Sequence, residues 1–109
     1  MTALKKRRTI EQVKEMAEFI KDKFKAKNVI LFGSYAYGKP DAHSDVDMMV
    51  IMNTKKKNYH EAADIKIALN RRFGLPFPMD LLVRTPGEIR KKSKTDSFIR
   101  EVMAMGKHL

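Results

Sequence analysis

Two aspartates, Asp45 and Asp47, stand two residues apart at the head of an apolar run, Met48 to Met52, and Gly33-Ser34 closes another, Val29 to Phe32. Both runs have the length of buried strands bounded by turn residues. Strand side chains alternate between faces, so Asp45 and Asp47 project from one face, about 7 Å apart along the chain. Like charges at about 6 Å repel by roughly 2–3 kcal/mol at an effective dielectric near 20. A hard divalent cation with oxygen ligands offsets such a cost. On the other strand end, Gly33 allows close backbone approach, and a short helical turn from Tyr35 to Gly38 would turn N–H groups and the Ser34 hydroxyl toward an anion. A phosphate cradle beside a metal site is what a metal–nucleotide needs. Asp80 is the lone carboxylate of a third apolar run, Met79 to Arg84. Buried there it needs a hydrogen bond or a metal, unless it caps the turn after Pro78.

Gly33-Ser34, ten residues, then Asp45-Val46-Asp47 resembles the signature of the nucleotidyltransferase superfamily related to DNA polymerase β. It is most similar to the small, single-domain minimal nucleotidyltransferase (MNT) branch, over roughly Thr9 to Leu109. Members of that branch are often encoded beside HEPN-domain ribonuclease toxins and act as their antitoxins. The resemblance implies that Asp80, on the strand after the second long helix, is the third catalytic carboxylate. Asp45, Asp47 and Asp80 are then the catalytic and metal-binding set, holding two Mg²⁺ ions. Gly33, Ser34, Asp45 and Asp47 bind the nucleotide, with ATP the substrate. One departure stands out: many relatives carry Arg in the turn after Gly-Ser, where this chain has Ala36 and Tyr37. Tyr35 and Tyr37 are read as packing or base-edge residues, and His43 as a spectator.

The elements that must position these residues follow from periodicity. Thr9, with Gln12 in capping-box spacing, predicts a first helix with Ile10, Val13, Met16, Ala17, Ile20 and Phe24 on its inner face. Met1 to Arg8, centred on Lys5-Lys6-Arg7-Arg8, reads as a flexible basic leader ahead of a single domain spanning residues 9–109. Tyr59 to Phe73 is a second helix, its stripe Ala62, Ile65, Leu69 and Phe73, closed by Gly74. Pro76 and Pro78 force an extended approach to the third strand. Thr85-Pro86-Gly87-Glu88 is a capping box that starts a short helix ending near Lys92. Asp96 to Met105 is the last helix, with Phe98, Ile99, Val102 and Met103 inward and Gly106 ending it. The order predicts an α/β (α+β) domain, a small mixed sheet flanked by helices. That is also the nucleotidyltransferase fold the resemblance implies.

A chain of 109 residues allows one domain and a modest core. It has no cysteine, which excludes disulfides and thiolate metal sites. No apolar run reaches the roughly 18 residues of a membrane span, and no signal-peptide core is present, so a cytoplasmic protein is expected. The net charge of +10 is uneven. Residues 1–27 hold nine basic and four acidic groups, residues 28–54 one and three, and residues 55–109 thirteen and six. A basic body around a small acidic pit attracts a polyanion, and it equally describes a solvated basic surface. Weak nucleic-acid contact through the basic ends stays open, although no zinc-finger or RNP-like motif is present. The eight methionines, three of them in the second strand, read as core filler.

The residues imply a metal-dependent nucleotidyl transfer to an acceptor hydroxyl, and the resemblance implies that the metal is Mg²⁺ and that AMP is moved from ATP. The resemblance supplies a Tyr on a HEPN-domain toxin as acceptor, and an antitoxin role. Two alternatives remain. One is a non-catalytic antitoxin that blocks its partner by binding; the other is a small-molecule (aminoglycoside-type) nucleotidyltransferase, for which so short a chain leaves little to wall in the acceptor.

Overall fold

Thr2 accepts a hydrogen bond from the Lys5 amide at 3.1 Å and so starts the first helix, α1, at Ala3–Phe24. The computed structural model describes residues 2–109, and Met1 lies outside them. The expected helix start at Thr9 is therefore corrected: Ala3 to Arg8 are helical. Alanine, leucine, lysine and arginine are among the best helix formers, and an earlier cap was available. Thr9 itself is buried, and its hydroxyl donates to the Lys5 carbonyl at 3.0 Å, a mid-helix pattern. The predicted inner face is the observed one, with Val13, Met16, Ala17 and Ile20 buried. Lys25, at φ 58°, ends the helix.

The chain then runs through β1 (Asn28–Phe32), α2 (Ser34–Tyr37), β2 (Val46–Ile51), α3 (Asn58–Phe73), β3 (Met79–Arg84), α4 (Pro86–Lys92), α5 (Ser97–Met105) and β4 (Lys107–His108). The sheet order is β3-β2-β1-β4. β1 is antiparallel to both of its neighbours, while β2 and β3 are parallel, with α3 as the crossover. This is the expected mixed sheet flanked by helices, in one α+β domain. β4 was not foreseen; it pairs Ile30 with His108 and Leu31 with Lys107.

Apolar residues cover both faces of the sheet. Val29, Leu31, Val46, Met48, Val50, Leu81 and Val83 face α1 and α3, packing with Val13, Met16, Ile20, Ile65 and Leu69. Ile30, Phe32, Met49 and Ile51 form the opposite face, against Ile99 and Val102 of α5. Full burial of side chains this size contributes about 1.5–3 kcal/mol each. That double coverage explains why β1 and β2 read as unbroken apolar runs rather than alternating ones. The helix caps also match: Gly74 takes φ 78° after α3, and the Thr85–Glu88 capping box is present. Thr85 and Asn58 donate hydrogen bonds to the Glu88 carboxylate and lower its pKa. Among the described residues, no helix is long and apolar enough to cross a membrane.

One inward assignment fails. Phe98 is 41% exposed, although Ile99 and Val102 beside it are buried. Its place at the first turn of α5 carries it past the edge of the core and onto the ring of Phe32.

Candidate active site

Strand register brings the separate motifs to one end of the sheet. Asp47 is the Cα partner of Phe32 on one side and of Asp80 on the other. Because β1 is antiparallel to β2, its last residue meets the first turn of β2. Gly33-Ser34, one step beyond, therefore stands beside Asp47. Because β2 and β3 are parallel and in step from Val46 and Met79, their two aspartates enter the sheet together. The backbone fixes that start, with the Val46 amide donating to the Pro78 carbonyl at 2.9 Å.

Side-chain alternation sets the face. Asp47 alternates with Met49 and Ile51, and Asp80 with Leu82, all on the side of the sheet that α5 covers. Asp45 precedes Asp47 by two residues at the strand mouth. Asp47 and Asp80 thus lie on the α5 side, outside the apolar cluster, and the charge of Asp45 reaches Asp47 from the strand mouth. Asp45 and Asp80 are exposed and Asp47 is half-buried. The expectation that Asp80 is buried is corrected: β3 is an edge strand, and its second residue opens to solvent, so no desolvation cost demands a partner for it.

The Asp47 carboxyl carries the strain. Burial raises its pKa first, and the charges of Asp80 and Asp45 raise it further. A folded-state pKa above the unfolded value of 3.8 means that the native state holds the proton more tightly. Stability therefore falls as pH rises from about 3.8 through the folded pKa, and the full penalty is present at neutral pH. In chelator at pH 7, Asp47→Asn should melt no lower than wild type. Its advantage should vanish below the unfolded pKa, and Mg²⁺ should raise the wild-type Tm more than the variant's. A mutant clearly less stable at pH 7 without metal would mean that Asp47 has a structural partner.

Gly33 makes room for that carboxylate. A Cβ built on Gly33 would overlap Asp47 Oδ2, and Gly33 sits at φ 74°, ψ −155°. Tyr35, which follows Ser34 in α2, is buried in the core, whereas Tyr37 is 42% exposed. Tyr35 is thus a packing residue. The loop before Asp45 is tied by a short turn that the motif reading missed. His43 N donates to Asp41 Oδ1 and Asp41 N donates to Ser44 Oγ, both at 2.8 Å. That hydrogen bond from His43 lowers the Asp41 pKa. An Asp three residues ahead of a Ser is the usual signal for such a turn. His43 takes part through its backbone, as a spectator side chain would.

Among the described residues, no three His, Asp or Glu side chains form a ready-made metal cluster. The chemistry of the donors nonetheless suits a hard divalent cation: Asp47 and Asp80 are cross-strand partners, the charge of Asp45 acts on Asp47, and Gly33 leaves room for the Asp47 carboxylate. The larger clefts lie elsewhere. One of about 590 Å³ separates α1 and α3, and one of about 490 Å³ runs between α3 and β3. Neither includes Ser34, Asp45, Asp47 or Asp80. Volume marks those grooves, whereas strand register marks the candidate site, at the sheet end where Asp47 meets Asp80.

Comparison with known proteins bears on the same stretch. The family model described as a nucleotidyltransferase domain matches residues 13–103. Two proteins of Methanocaldococcus jannaschii are similar, each named "Putative protein adenylyltransferase". MJ0141 is 39% identical over 93 residues, covering 85% of this chain and 86% of its own. MJ1379 is 43% identical over 47 residues, covering 39% of this chain and 47% of its own length.

Proposed function

The chain belongs to the nucleotidyltransferase domain family, a family of transferases, and on that premise we propose that it transfers AMP from ATP to a side-chain hydroxyl of a partner protein. The observation that carries this reading is the register that sets Asp47 between Asp80 and the Phe32–Gly33 strand end. The relatives' printed name, protein adenylyltransferase, favours ATP and a protein acceptor.

In this reading the acceptor oxygen attacks the α-phosphorus. The new P–O bond forms as the bond to the bridging oxygen of the β-phosphate breaks, and pyrophosphate leaves. Asp45, Asp47 and Asp80 would hold Mg²⁺, two ions in the family pattern. Bound there, the metal neutralises carboxylate and phosphate charge and polarises the phosphoryl group. Gly33 and Ser34 hold the terminal phosphates through backbone N–H and hydroxyl. Asp45 and Asp47 orient the α-phosphate side, and Asp80, exposed on the edge strand β3, serves the acceptor side. An exposed site leaves the second substrate to bring its own walls, which suits a folded protein. The resemblance names that protein class: a HEPN-domain toxin modified on Tyr, with this chain as its cytoplasmic antitoxin. A basic surface speeds encounter with an acidic partner at low salt.

The test is transfer itself. Mixed with ATP, Mg²⁺ and the product of the neighbouring gene, the chain should raise that product's mass by one or more AMP units on a hydroxyl side chain. The rate should fall as salt rises. If Asp45→Asn neutralises the partner equally well with no mass change, blocking by binding is the function. Transfer to an aminoglycoside with none to protein would move the reading to a small-molecule enzyme.

A further inference from the structure

We infer that Phe98 is the platform on which the nucleobase stacks, a binding residue of the nucleotide site that does not choose between bases; this rests on the transfer reading above. Three observations converge on it. Phe98 is a large aromatic left 41% exposed at the first turn of α5, whose next residue, Ile99, is buried. Its ring meets Phe32 edge to face, with centroids 5.6 Å apart and planes at 81°. Phe32 is the cross-strand partner of Asp47, and paired residues on one sheet face have Cβ atoms about 4.5–5.5 Å apart. The aromatic pair therefore continues the carboxylate face, one strand over from Asp47.

The T-shaped contact with Phe32 holds the orientation of the Phe98 ring, and its 41% exposure leaves ring surface open to solvent. A nucleotide gripped by its phosphates at Gly33-Ser34 and the aspartates has the exposed Phe98 ring beside the same sheet face for its base to cover. Every base has a π-face, so a fixed phenyl ring takes it without reading its edges. The α2 turn offers the triphosphate no Arg, only Ala36 and Tyr37 beside Ser34 and Tyr35. Tyr37 is the rival aromatic, equally exposed at 42%, but it is carried on α2 and makes no ring pair with Phe32.

Binding of ATP and of inorganic tripolyphosphate, each with Mg²⁺, separates base from phosphate. Phe98→Leu keeps apolar cover on Phe32 and removes the ring. It should weaken ATP by about 5- to 150-fold and leave tripolyphosphate unchanged. Tyr37→Leu should change neither. The chain contains no tryptophan, so Phe98→Trp installs a sole indole whose fluorescence ATP should quench and tripolyphosphate should not. Unchanged ATP affinity in Phe98→Leu overturns the assignment. So does equal weakening of both ligands, which marks a merely structural role, and so does unchanged ATP binding with lost transfer, which gives the ring to the acceptor. If the wild-type chain binds neither ligand, the transfer reading itself falls and takes this assignment with it.

Discussion

Asp45→Asn, Asp47→Asn and Asp80→Asn are each expected to lower nucleotidyl transfer by about 10³-fold while leaving a folded chain. Asparagine keeps the shape of the side chain and removes the charge. Losing one metal ligand forfeits several kcal/mol of transition-state stabilisation, and each 1.36 kcal/mol is about tenfold in rate. The three variants separate in stability. Burial and its two acidic neighbours raise the Asp47 pKa, so its amide relieves a repulsion that the metal-free fold bears. Asp45 and Asp80 are exposed, and their amides should leave the melting temperature within the small range of surface substitutions. A loss of activity joined to unchanged or raised stability is the signature of a site held against its own charge. Wild-type transfer by Asp80→Asn would move the third-carboxylate role off that residue.

The legible parts of this fold share a local cause. Met79–Arg84 is bounded by Pro78 and the Thr85 cap, so its limits are written into neighbouring residues and the predicted strand is the observed one. The meeting of Gly33 and Asp47 was readable for the same reason, because both lie within one hairpin-like stretch. What escaped depended on distant partners. β4 is two polar residues that become a strand only because the outer edge of β1 is open, with the Leu109 amide donating to the Val29 carbonyl at 2.8 Å. The exposure of Asp80 follows from β3 being the other edge, a matter of strand order rather than of its own apolar neighbours. Phe98 fits helical periodicity perfectly well as a core residue, and only the docking of α5 against β1 decides that its ring emerges beside Phe32. The start of α1 was missed because Thr9 and Gln12 have capping-box spacing, and the basic run ahead of them reads as a leader although it is helical from the Thr2 cap.

Gly33→Ala is expected to cost both activity and stability, and the two losses have separable causes. Backbone at φ 74° and ψ −155° lies in a region essentially reserved for glycine, and holding alanine there costs about 1–3 kcal/mol. The added methyl would also strike Asp47 Oδ2, displacing the carboxylate at the centre of the set. Transfer should therefore fall by about 10²-fold or more, the scale expected when a reacting group is misplaced by about 1 Å. A double-mutant cycle with Asp47→Ala isolates the second cause, because shortening residue 47 removes the atom that the methyl strikes. Gly33→Ala should destabilise the Asp47→Ala background less than it destabilises wild type, the remainder being the backbone cost alone. The coupling, read from denaturant midpoints, should exceed about 0.5 kcal/mol, the range for groups in contact. Strict additivity would place Asp47 away from Gly33, and with it the phosphate-binding turn away from the carboxylates it has to serve.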